Sequence, residues 1–187
     1  MLVESGFVRV GESEGREWTF TPSLGRIASL GTPHEIVALY AGLHGPKAAQ
    51  EAAYVLACLC DQDDPFPLIG CQVRPGLWES GLMPPAQQIV IARHLMQHGI
   101  CGKARPGASA GGGQFSQTFD ATEYIAAARV HFGLSSADAE ALSMTEFQTM
   151  FEMKYPQAKE KAREVPTREE YRERIRALEE KRGNQGR

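Results

Sequence analysis

The spacing of apolar positions changes near residue 32. Before it, Gly6-Phe7-Val8-Arg9-Val10 and Glu17-Trp18-Thr19-Phe20-Thr21 alternate in part, on either side of the polar, glycine-bounded stretch Gly11–Arg16. Two runs of β-forming residues around a Gly loop predict a β-hairpin. A lone hairpin is marginal in water, so this one is expected to lean on the helices or on a partner. After residue 32 the steps become three and four. Thr32-Pro33-His34-Glu35 places threonine at an N-cap, proline at the first helical position and glutamate at the third, which is a capping box. The helix it opens carries Ile36, Val37, Leu39, Tyr40 and Leu43, and Gly45 is expected to close it. Pro46 starts a second helix to about Asp61, with Ala52, Val55, Leu56 and Leu59 as its apolar stripe.

Residues 61–83 contain Pro65, Pro67, Gly70, Pro75, Gly76 and Gly81 and read as a long irregular loop anchored by Phe66, Leu68, Ile69, Leu77 and Trp78. Pro84-Pro85 opens a helix to about His98, with Ile89, Val90, Leu95 and Met96 inward and Gly99 as its stop. Residues 102–117, centred on Gly107-Ala108-Ser109-Ala110-Gly111-Gly112-Gly113, have the composition of a flexible linker. Three short helices follow. Asp120/Glu123 starts one that ends at Gly133, Ser135 or Ser136 starts one to Leu142, and Ser143/Glu146 starts one to Tyr155-Pro156. Thr167/Glu170 begins a charged helix to about Arg182, whose narrow stripe is Tyr171, Ile175, Ala177 and Leu178. The expected fold is mainly α: a small helical bundle with an N-terminal β-hairpin and a charged C-terminal helix. Its segments are a hairpin over 1–31, a helical core over 32–101, a linker over 102–117, a three-helix region over 118–156 and a tail over 157–187.

Composition narrows the function classes. The chain has 187 residues, 42% hydrophobic and 23% charged, which suits one sizeable core. Residues 1–156 hold 10 Lys/Arg against 16 Asp/Glu, and residues 157–187 hold 10 against 7. An acidic body lacks the clustered positive charge that nucleic-acid binding requires. The start has neither a basic nor an apolar leader region, and the longest apolar stretch, Tyr54–Cys60, is too short for a bilayer. The cytoplasm is the expected compartment, with no membrane or nucleic-acid partner.

Several clusters of residues offer candidate chemistry. Cys58, Cys60, Cys71, His94, His98 and Cys101 could together surround zinc, and His94 and His98 share a helical face. Cys58 and Cys60 point apart, no Cys-x-x-Cys exists and the His pair lacks the glutamate of a zinc protease helix, so no metal is expected. Lys103 precedes the glycine run and is followed by alanine, which rules out a phosphate loop. Asp61, Asp63 and Asp64 lack the glycine and glutamate of an EF-hand. A helix-turn-helix reading of 121–151 would make the acidic Ser136–Leu142 its recognition helix, which phosphates would repel. No nucleophile elbow or local Cys–His pair is present, and neither an enzyme nor a cofactor is expected. What stands out is one face of the last short helix: Met144, Phe147, Met150, Phe151 and Tyr155 recur at steps of three and four. Methionine and aromatic side chains adapt to varied partners, so these five residues are the candidate partner-binding set, with a plain core stripe as the competing account.

The order of segments is similar to that of tail assembly chaperones of long-tailed bacteriophages. A helical body and a glycine-rich break lead to Leu134-Ser135-Ser136-Ala137-Asp138, then Leu142-Ser143-Met144-Thr145-Glu146-Phe147, then a charged tail. The likeness spans residues 34–156 loosely and 120–156 best; the N-terminal hairpin has no place in it. The resemblance implies a non-catalytic protein in the host cytoplasm that binds the tape measure protein, aids tail tube assembly through the tube protein, and is absent from the finished virion. Self-association into a homo-oligomer is compatible with it. The alternative is a small structural or connector protein that stays in the particle.

Overall fold

The alternating N-terminal runs pair as a hairpin in the computed structural model, which describes residues 6–11, 15–74, 77–103 and 117–156. Strand β1 (Val8–Gly11) runs antiparallel to β2 (Glu17–Phe20), from Val8 opposite Phe20 to Gly11 opposite Glu17. Its inward residues Trp18 and Phe20 are buried, and the hairpin leans on a helix end as expected. The Thr21 N–H donates to the Leu59 carbonyl at 3.0 Å, and the Asp61 N–H donates to the Thr19 carbonyl at 2.8 Å. Helix α1 (Leu24–Ala28) follows, unforeseen because five residues are too few to show a period. Ser23 caps it by accepting from the Arg26 N–H. The Arg26 guanidinium donates to the Cys60 carbonyl and pairs with Asp61, which ties α1 to the chain beyond the hairpin.

The capping box at Thr32 forms with both of its reciprocal bonds, and the Thr32 contacts hold the Glu35 carboxyl below its usual range. Helix α2 (Pro33–Gly42) ends with Leu43 as its cap, two residues ahead of the expected Gly45. Both Arg93 Nε and Nη2 donate to the Leu43 carbonyl, closing an otherwise open helix end. Helix α3 (Ala48–Leu59) buries Ala52, Val55, Leu56 and Leu59, the stripe read from the sequence.

Residues 61–83 are a correction. They form helix α4 (Phe66–Ile69) and a second antiparallel hairpin, β3 (Gly70–Arg74) and β4 (Leu77–Ser80), with an irregularity between Gln72 and Arg74. Gln88, 3% exposed, holds the base of this excursion. Its amide donates to the Ile69 carbonyl at 2.9 Å and the Met83 carbonyl at 2.8 Å. Gln88→Leu leaves both carbonyls buried without that donor and is expected to cost about 2 kcal/mol, read from the urea midpoint.

Helix α5 (Pro85–Met96) packs along α3 and runs on into a π-helical turn, Gln97–Cys101. Gly99 is therefore no stop. It is buried inside the turn, where a side chain would overlap Ile27 of α1, and Gly102, with φ of 74°, ends the segment. Then come α6 (Ala121–Phe132), capped by Asp120 and closed by left-handed Gly133, α7 (Ser136–Ala141), capped by Ser135, and α8 (Met144–Lys154). Ser143 and Glu146 make the start of α8 a second capping box: the Glu146 N–H donates to Ser143 Oγ, and the Ser143 N–H donates to the Glu146 carboxylate. The fold is mainly α. Its buried cluster joins Trp18 and Phe20 to Leu24, Ile27, Leu56, Leu59, Leu95 and Met96, and extends to Phe119, Met144 and Phe147.

Two units divide the chain, Met1–Phe151 and Glu152–Arg187. Of the second, residues 152–156 are described; all are exposed, and Lys154 lies over the Tyr155 ring. The expected charged helix over 167–182 and most of the glycine linker lie outside the described residues. Among the described residues no helix is long and apolar enough to cross a membrane.

Candidate functional site

The methionine and aromatic stripe divides along α8. Met144, 2% exposed, and Phe147, 7% exposed, belong to the core, and Tyr124 and Phe132 of α6 pack on Phe147. At these two positions the stripe is core, the competing account given above. Met150 and Phe151 are half-buried, and Tyr155 is 41% exposed. The stripe therefore starts as core and ends as surface.

The structure adds aromatic partners that periodicity could not show. Phe147 stands edge-on to Tyr124 of α6 at 5.4 Å and to Phe132 at 5.7 Å, and it stacks on Phe151 at 6.0 Å. Tyr124 in turn stacks on Phe119 at 5.3 Å, and His131 meets Phe151 at 5.7 Å. Offset and edge-on pairs of this kind favour a rigid aromatic row. The row runs from Phe151 through Phe147 and Tyr124 to Phe119, linking residues 32 positions apart.

At its Phe119 end the row opens into a groove of about 720 Å³. Val37 and Tyr40 of α2, Ile100 of the π-helical turn, and Phe119 and Tyr124 give it an apolar lining; Asp120 and Glu123 give it acidic groups. Three local features hold its walls. The Phe119 N–H donates to the Pro33 carbonyl at 2.9 Å, and Tyr40 Oη donates to Gln97 Oε1 at 2.6 Å. Asp120 accepts from the Thr122 hydroxyl and N–H, contacts that hold its carboxyl below the usual range. Sequence reasoning missed the groove because its walls come from three separated segments. The one available signal was Phe119, an aromatic residue immediately before a helix cap.

The Cys and His residues do not converge. Burial pushes the Cys58 and Cys60 thiols up, and desolvation pushes up that of Cys101, an effect the neighbouring Tyr40 hydroxyl partly offsets. Raised thiols are poorer nucleophiles at neutral pH. His94 and His98 lie with ring centroids 4.6 Å apart, but His98 Nδ1 is 2.8 Å from Thr145 Oγ1. Among the described residues no three His, Cys, Asp or Glu side chains gather to hold a metal ion.

The His98 contact ties the π-helical turn to α8, and it titrates. Burial, and then the neighbouring His94, hold the His98 pKa below 6.5. The unfolded chain therefore binds the proton more readily, so this contribution to stability is full above about pH 6.5 and is lost as pH falls through the lower folded value. The melting temperature is expected to drop on acidification from about pH 7 to about pH 5. His98→Gln is expected to flatten that slope.

A model of the family described as a family of unknown function (DUF6246) matches residues 44–173, more than half of the chain. No curated protein and no solved structure matches it.

Proposed function

The chain belongs to the family of unknown function DUF6246, and we propose that it is a non-catalytic tail assembly chaperone of a long-tailed bacteriophage, acting in the host cytoplasm. On this reading it holds the tape measure protein soluble and aids assembly of the tail tube protein around it. The observation that carries the reading is the aromatic row ending in an open groove. An apolar helix needs a lined surface of aromatic and aliphatic side chains, partly formed in advance, to be held in water. Val37, Ile100, Phe119 and Tyr124 supply such a lining, and Phe151 joins the aromatic row behind it through Phe147. The raised thiols and the engagement of His98 with Thr145 support a role without covalent chemistry. The segment order from Leu134 to Phe147 adds the resemblance on which the phage assignment rests.

Co-expression with a tape measure protein from the same phage genome tests this directly. A chaperone keeps that protein soluble, co-purifies with it and is missing from mass spectra of purified virions. A tape measure protein that stays insoluble, or that never co-purifies, contradicts the proposal. Recovery of the chain in virions supports the alternative, a structural or connector protein retained in the tail.

A further inference from the structure

The charge of the groove says more about its occupant than its apolar lining does. Two carboxylates line it, and they differ in what they are doing. Asp120 is committed: it caps α6 and accepts from both the N–H and the hydroxyl of Thr122. Glu123, one turn into the same helix, is exposed on the groove, and its carboxylate makes no hydrogen bond or ion pair with any described residue. Among the described lining residues there is no Lys, Arg or His. Beside this carboxylate the surface is apolar and aromatic: Tyr124 is the next residue and stacks on Phe119, with Val37 and Ile100 completing the lining.

An occupant laid on the apolar lining would come up beside the exposed Glu123 carboxylate, and one carrying a like charge or no charge there would partly desolvate it without a counter-charge. A partner with Lys or Arg at that point removes the cost and gains a charge-assisted bond whose geometry also sets the register. We propose that the groove takes an amphipathic helix of a partner protein, with a basic residue at the edge of its apolar face, and that Glu123 is the specificity-determining residue that reads it. The inference rests on the reading that this chain holds an apolar client, and it adds the chemistry by which a segment of that client is chosen. Asp120 contributes negative potential at the groove without leaving its capping role.

The probe is a short synthetic amphipathic helix with a leucine face, a glutamine and serine polar face, and one lysine beside the leucines. A counterpart carries glutamate in place of the lysine. Binding of each to the full chain is followed by fluorescence anisotropy. The native chain is expected to favour the lysine probe by about two- to fivefold, the size of an exposed ion pair, and the preference should shrink as salt is raised. Glu123→Gln should shrink the preference and Glu123→Lys should reverse it, with the circular dichroism of each variant unchanged. Glu79→Lys, on the second hairpin and outside the groove lining, should leave it intact. If both probes bind but their ranking ignores Glu123, or follows Glu79 equally, this inference is overturned while client binding stands. If neither probe binds the native chain, the client-binding reading falls with it.

Discussion

Phe147→Ala is expected to lower the free energy of unfolding by about 3–5 kcal/mol, the cost of removing a large aromatic side chain from a packed interior. Phe147 is in contact with three other rings, Tyr124, Phe132 and Phe151, so its loss leaves a cavity that no single neighbour can fill. Phe151→Ala, at the half-buried end of the same face, is expected to cost about 1 kcal/mol. Urea denaturation of the two variants gives both numbers. The contrast matters for function: a loss of partner binding in a Phe147 variant would report unfolding, whereas the same loss in a Phe151 variant with native circular dichroism would report a contact. Equal, small effects at both positions would contradict the placement of the first half of α8 in the core.

The sequence located the α8 stripe and left open whether it is core or surface, for a physical reason. Periodicity identifies a face, but a face becomes core or surface only through what packs on it. Phe147 is buried by α6, a helix that packs on it in space and is separated from it in sequence by α7. Local punctuation was legible wherever its physics is local. Thr32, Asp120, Ser135 and Ser143 each cap the helix they were expected to start, because a side-chain oxygen satisfies an N–H two or three residues away. The second hairpin was missed because its proline and glycine residues signal a turn and a break equally well, and only pairing between Gly70 and Ser80 separates the two. The groove was invisible for a third reason: α2, the π-helical turn and the residues before α6 meet only in the fold.

Gly81→Ala should be among the most damaging Gly→Ala changes of the described residues, at about 3 kcal/mol. A Cβ at this position would overlap the Gly70 N–H and the Leu68 carbonyl, which are backbone atoms and have no rotamer by which to yield. Gly70 and Ser80 are partners at the open end of the second hairpin, and the Met83 N–H donates to the Leu68 carbonyl at 2.8 Å just beyond it. Relief therefore requires the hairpin base to part from α4, which also strains the two carbonyls held by Gln88. Gly11→Ala, where nothing lies within 4 Å of the added methyl, is the matched control and should change stability by less than about 0.5 kcal/mol. Thermal or urea midpoints of the pair decide it, and a Gly81 variant as stable as the Gly11 variant would contradict the packing of this corner.

The Phe147 prediction concerns the aromatic row itself, and the Gly81 prediction concerns a corner outside the groove lining. The central claim is that this row and groove are where the protein holds another chain, and amide hydrogen exchange on the co-purified complex with the tape measure protein tests it most directly. The account predicts slowed exchange in 33–40, 97–101 and 118–124, with a smaller effect near Met150 and Phe151 and no change in the hairpin over 70–80. Protection confined to that hairpin, with the groove segments exchanging as in the free protein, would contradict it.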